Sequence, residues 1–252
     1  MLFLTGVIKL PNHLMSNLHF SGDQKRIDEL MESIKGEETC FDFNAVLPMP
    51  ESLNIESGSR TNNGLKAYKD FITVYTMDVT AEKDLLNIPK ESEEAFLKFR
   101  PDIDREEWAL GRTAFQNVQK YGAATWYDWA RENWGSKWNA YQTERLEDNT
   151  IEFNTAWSNV KPVIFALSEK FPDIDMRYQW ADEDIGSNVG DVTYKGGECI
   201  ENIEFEPCSK EAYEFAAEMW GVDLENEGFI FNETTGTYEW QDTDATESPI
   251  MN

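Results

Sequence analysis

Cysteine and histidine are both scarce. The three cysteines, Cys40, Cys199 and Cys208, are an odd number at wide spacing. That argues against a disulfide framework and leaves no CxxC or Cys/His cluster for zinc, so buried, reduced thiols are expected. The two histidines, His13 and His19, fall on one face of a predicted first strand. A metal site would need further ligands from another element, so structural histidines and no metal are expected. No run of about 18 uncharged apolar residues occurs, so no membrane-spanning helix is predicted. The opening MLFLTGVIKL is short and lacks a basic n-region and a small-residue cleavage site. It reads as a strand rather than a secretory signal, and a cytoplasmic location follows as the expectation.

Recognisable catalytic patterns are missing as well. There is no Gly-rich phosphate loop, GxGxxG, GxSxG elbow or HExxH. No spacing singles out a working pair among the 48 acidic residues. WADEDIGSNVGD, residues 180–191, has the composition of a calcium loop without its DxDxDG spacing or closing Glu, and reads as a solvated acidic turn. Catalytic residues and cofactors are therefore expected to be absent, and the chain is read as a non-enzyme.

Positive charge is the largest deficit. Against 48 Asp and Glu stand 22 Lys and Arg, a net charge of −26. Residues 173–252 carry 21 acidic side chains and three basic ones, Arg177, Lys195 and Lys210, a balance of −18 that leaves −8 for the first 172 residues. Such a surface repels bare nucleic acid and anionic membranes and attracts basic proteins. Simple solubilisation is the competing explanation.

What the chain does have is apolar and aromatic material, 40% and 13% of its residues, enough for one large core or two modest ones. WYDWARENWGSKWNA, residues 126–140, packs four tryptophans and a tyrosine into one segment. Trp126 and Trp129 share a helical face, and burial of Trp126, Trp129, Trp138 and Trp157 in a common core is expected. Interleaved polar groups also make Trp126, Asp128, Lys137 and Asn139 a candidate ligand pocket. Asn133 and Asn139 are expected to fix the turn at Gly135 through backbone hydrogen bonds.

Periodicity gives the elements. NHLMSNLHF alternates as a strand; Asp23 caps a helix QKRIDELMESIK that Gly36 ends; CFDFNAVLP alternates again as a second strand. ESLNIESGSRTNNG reads as a polar loop, followed by helical patterns to about Tyr121 broken at Pro89 and Pro101. Beyond the Trp-rich helix come a hairpin turning at 147–149 and a helix VKPVIFALSEKF. A strand DMRYQWADED and a hairpin turning at Gly196-Gly197 follow. The chain then runs through a helix capped by Ser209 and ended by Gly221, and a small hairpin at Thr235-Gly236. The tail QDTDATESPIMN is expected to fray. This is an α+β pattern: an antiparallel sheet with helices on one face, a helical insertion and an acidic C-terminal extension. The expected division is 1–61 with 122–206 as the core, 62–121 as the insertion, and 207–252 as the extension.

PNHLMSNLHFSG, FDFNAVLPMPESL, GAATWYDWARENWGSKWNA, IEFNTAWSNVKPVIFALSEKFPDI and YQWADEDIGSNVGDVTYKGGE occur in this order. Over about Pro11 to Glu198, interrupted by the insertion, they resemble the YubB-type proteins of phages, prophages and conjugative plasmids. The resemblance implies a ferredoxin-like domain and a mobile-element origin, and carries over no catalytic residues.

Charge and resemblance together point to an interaction protein that binds and inhibits a host factor. The expected partner is a basic, nucleic-acid-binding defence protein such as a nuclease or CRISPR effector. The expected docking residues are Glu225, Glu227, Glu233, Glu239, Trp240, Asp242 and Asp244, whose carboxylates imitate phosphates. The alternatives are a small-ligand binder or enzyme using the tryptophan pocket, and a virion or assembly protein.

Overall fold

The computed structural model describes residues 12–75, 90–147 and 149–241. The opening MLFLTGVIKL and nearly all of the polar tail lie outside them. In chain order the first elements are β1 (His13–Ser21), α1 (Gln24–Ser33), the four-residue α2 (Phe43–Val46), α3 (Ser59–Tyr75), α4 (Lys90–Leu97), α5 (Arg105–Tyr121) and α6 (Trp126–Asn133). Then follow β2 (Tyr141–Arg145), β3 (Thr150–Ala156), α7 (Lys161–Lys170), β4 (Asp175–Asp182), β5 (Gly190–Lys195), β6 (Glu198–Glu204), α8 (Lys210–Trp220), β7 (Phe229–Asn232) and β8 (Thr237–Trp240). The described residues form two compact units, the second being Pro48–Asn133 and the first the remainder; the second unit is longer at both ends than the 62–121 expected for the insertion.

The first unit is built on a six-stranded antiparallel sheet in the order β2-β3-β1-β4-β5-β6. Its first four strands, with α1 and α7 as crossovers, have the β-α-β-β-α-β connectivity of a ferredoxin-like domain. β5 and β6 extend that sheet on the β4 side. In β1 the alternation puts Leu14, Ser16, Leu18 and Phe20 fully inside. Tyr178 on β4 is the pivot of this layer: its hydroxyl meets Ser16 Oγ at 3.2 Å and accepts the Val160 N–H at 3.1 Å. That second bond satisfies the N-terminus of α7, which has no side-chain cap of its own. Burial pushes the Tyr178 phenol well above its usual range. Beside it, Trp180 lies flat over Gly190, where a Cβ would come within 2.0 Å of the indole Cζ2.

CFDFNAVLP is not the second strand that its alternation suggests. Asp42 takes the N-cap position, its carboxylate accepting the Asn44 N–H at 2.8 Å, and Phe43–Val46 turn into a short helix. Phe41 and Phe43 are buried on the same side, edge-on to each other and to Phe153. An extended strand would also put these two residues on one side, so the alternation imitates a strand although the backbone turns into a helix at Phe43. Nor are the thiols buried: Cys40 is half-buried, and Cys199 and Cys208 are exposed, all three unpaired.

The second unit is helical. ESLNIESGSRTNNG is only partly loop, since α3 begins at Ser59 and runs straight through Asn62, Asn63 and Gly64. The core of the unit is Ala67, Tyr68, Phe71, Ile72, Ile103, Trp108 and Phe115. α5 starts at a full capping box, with Asp104 accepting from Glu106 and Glu107 and Glu107 reaching back to the Asp104 N–H. The buried Asn117 is fully engaged by Ser52 and the Ala124 carbonyl. Among the described residues no helix is long and apolar enough to cross a membrane.

Candidate functional site

The acidic third of the chain begins on β4. Arg177 points to the face opposite Tyr178 and forks the Asp191 carboxylate on β5, with contacts of 2.5 to 3.1 Å, while Gln179 adds a 3.0 Å bond. The hydrogen bonds to Asp191 raise the Arg177 guanidinium further above neutrality. Lys195 Nζ lies 2.6 Å from Asp175, and Lys210 Nζ lies 3.7 Å from Glu214. All three cations of residues 173–252 are thus engaged by carboxylates of the same region. Asp173 is paired with Arg26 at 2.8 Å, and among the described residues Glu225, Glu227 and Glu233 form no ion pair.

β6 closes the sheet, and all seven of its residues are exposed, Ile200 and Ile203 among them. α8 follows, capped where the sequence indicated: Ser209 accepts the Ala212 N–H at 3.1 Å and Gly221 ends the helix in the left-handed region. It buries Ala212, Tyr213, Ala216 and Ala217, and Trp220 Nε1 donates to the Asp182 carbonyl at 3.0 Å, tying the helix to β4. The Glu218 carboxylate adds to the field that raises Arg177.

The β7–β8 hairpin docks on α8 through a small satellite core. Tyr213 packs against Phe229 at 5.2 Å and Tyr238 at 5.7 Å, with Ala217 and Leu224 beside them. Its turn is held by Asn232, which accepts the Thr234 N–H at 2.8 Å. Glu225, Glu227, Glu233 and Glu239 are exposed, as is Trp240 at 62%. Glu239 differs from the other three, because it accepts from Asn232 and Thr235 within its own hairpin. Asp242 and Asp244 lie outside the described residues.

The residues of the predicted tryptophan pocket are divided between the two units. Trp126 and Asp128 stand on α6 in the helical unit, where Trp126 meets Tyr127 edge-on at 5.7 Å; Lys137 and Asn139 belong to the sheet unit. Asn139 is held by three hydrogen bonds. Its Oδ1 accepts from Phe43 N at 2.8 Å and Ala140 N at 2.9 Å, and its Nδ2 donates to Asp42 at 2.6 Å. Asn139 therefore holds the Phe43–Val46 helix, and Asn133 donates to the Trp129 carbonyl, so neither fixes the Gly135 turn as expected. Trp129 and Trp134 are buried. The expected burial of Trp138 and Trp157 is wrong: they are 41% and 47% exposed. Their rings flank the Lys137 ammonium at 3.6 and 3.9 Å instead, and this contact replaces the core as their partner. Desolvation there lowers the Lys137 pKa. Trp157 also carries a φ of +65°, unusual for a bulky side chain. Sequence pattern gave no sign of this pairing, since Lys137 and Trp157 belong to different elements.

The histidines are structural in their contacts. His13 Nδ1 lies 2.7 Å from the Tyr141 hydroxyl, which donates its proton to the Thr155 carbonyl at 3.1 Å, so His13 must be the donor in their bond. His19 Nδ1 meets Thr150 Oγ1 at 3.0 Å. In the 180–191 segment, Asp182 accepts from Asn12 and from the Asp184 N–H. Among the described residues no group of three metal-ligating side chains converges.

Residues 134–223 match the family model described as "Ferredoxin-like domain in Api92-like protein". The match starts at Trp134 and takes in β2 to β6 together with α8, so the acidic helix belongs to the recognised part and the β7–β8 hairpin does not. Among solved structures, the chain is similar to a crystal structure of protein Api92 from Yersinia pseudotuberculosis. The two are 12% identical, with 78% of this chain and 98% of that one covered and a TM-score of 0.40. No curated protein matches.

Proposed function

We propose that this chain is a non-catalytic interaction protein whose acidic C-terminal third docks on a basic surface of a nucleic-acid-binding host protein and blocks it. One observation carries the reading. All three cations of residues 173–252 are engaged internally, while Glu225, Glu227 and Glu233 stay exposed near Phe231 and Trp240, themselves 39% and 62% exposed. Carboxylates speed encounter with a basic partner, but salt screens them over about 8 Å. Exposed aromatic rings supply the contact that persists once the surfaces meet. The resemblance to YubB-type phage and plasmid proteins supplies the setting, a mobile-element product acting in the host cytoplasm.

A second reading keeps one observation of its own. The exposed Trp138 and Trp157 rings around Lys137 offer flat apolar faces and a charge to a small ligand.

Affinity capture with the intact protein, eluted along a salt gradient, tests the first reading when the captured protein is then assayed for nucleic-acid binding. The proposal expects a basic protein that leaves at elevated salt and loses its nucleic acid when this chain is added. A partner that elutes independently of salt, or binds nucleic acid and this chain together, contradicts it.

A further inference from the structure

At the junction of α8 and the β7–β8 hairpin is a shallow cavity of about 350 Å³, open to solvent. Leu224, Phe231 and Tyr238 contribute apolar wall, and Glu214, Asp223 and Glu225 bring carboxylates to the same space. The three acids are not equivalent. Asp223 is committed to its own turn, accepting the Glu225 and Asn226 N–H groups at 3.0 and 3.1 Å. Glu214 accepts the Tyr238 hydroxyl at 3.3 Å. Glu225 is exposed and, among the described residues, its carboxylate has no hydrogen bond or ion pair.

The protein already shows what this surface holds. The Lys210 ammonium lies 3.7 Å from Glu214 and 5.3 Å over the Phe231 ring, a cation placed between a carboxylate and an aromatic face. Lys210 is not among the residues that line the cavity, but Glu214 and Phe231 are, so a cation entering it meets the same two groups together with the free acid Glu225.

We propose that the cavity accepts an arginine side chain of the basic partner. The inference rests on the acidic docking surface proposed above and specifies what enters it. An arginine has an apolar stem suited to the Leu224 and Phe231 wall and a planar head that stacks on a tyrosine or phenylalanine ring. That head also forks carboxylates, which a lysine ammonium does not. The contact confers side-chain specificity that long-range charge cannot.

The test uses the full chain, titrated with hexa-arginine and hexa-lysine peptides at fixed ionic strength. Hexa-arginine is expected to bind more tightly. The E214Q/E225Q variant should weaken it about tenfold, the scale of one charge-assisted contact of about 1.4 kcal/mol. E227Q/E233Q removes the same charge outside the cavity and should weaken it less than about twofold. F231L keeps an apolar side chain, removes the ring and should lower the preference for arginine. Equal loss in the two charge-matched pairs overturns the cavity while leaving the acidic surface standing, as does equal affinity for the two peptides. No binding of either peptide by the unaltered protein at low salt removes both.

Discussion

Gly64 and Gly111 meet where α3 crosses α5 with no side chain between them. A Cβ on Gly111 would come within 2.1 Å of the Gly64 carbonyl group, and one on Gly64 would lie 1.9 Å from the Glu107 carbonyl oxygen. The obstacles are backbone, so neither position can yield by changing a rotamer. Gly64→Ala and Gly111→Ala should each destabilise the helical unit by about 1–3 kcal/mol or more, the cost of overpacking, despite alanine's better helix propensity. Urea unfolding followed by circular dichroism checks this. A midpoint unchanged by both substitutions would contradict the packing.

The tryptophans should separate into two classes under the same assay. Trp134 is buried, edge-on to Phe43, and donates to the Leu47 carbonyl at 2.9 Å. Trp134→Ala should cost about 3–5 kcal/mol. Trp138→Ala and Trp157→Ala remove half-exposed rings and a cation contact, and should cost about 1–2 kcal/mol each. If Trp157→Ala were as damaging as Trp134→Ala, the surface placement of Trp157 would be wrong.

Alkaline pH should unfold the protein through its buried phenols. The Tyr141 hydroxyl is pushed up to about 12, chiefly by burial and then by Glu183, and Tyr178 is also raised by burial. Unfolded tyrosine ionises near about pH 10. The stabilisation is therefore complete below about pH 10 and is lost as pH climbs towards about 12. Urea midpoints across that window should fall, with a shallower fall in Tyr141→Phe. Tyrosinate absorbance from all nine tyrosines near about pH 10, in a protein still folded, would contradict the burial.

These sites also show which signals the sequence carries. Local ones were legible: the alternation of β1, the Gly196-Gly197 turn and the Ser209 and Gly221 ends of α8 each lie within a few residues of what they specify. Contacts across sequence distance were not. Phe41 and Phe43 mimic a strand, and only Asn139, bonded to the Phe43 N–H from 96 positions away, reveals that the chain curls there. Asn62-Asn63-Gly64 carries loop composition, yet Gly64 is required by Gly111 on a distant helix. The acidic region was visible as composition. What composition could not supply was that Glu239 is held by its own hairpin while Glu225 is left open beside a cavity.

The most direct test of the docking claim is the association rate of the captured partner, measured by stopped flow against ionic strength. The unaltered protein is compared with a variant carrying Glu225→Gln, Glu227→Gln, Glu233→Gln and Glu239→Gln. All four residues are exposed, and Glu239→Gln keeps an amide oxygen to accept from Asn232 and Thr235, so the fold and its unfolding midpoint should be retained. The account predicts slower association for the variant and a flatter dependence on salt. An unchanged rate with the same salt slope would contradict it and leave solubility as the reason for the charge.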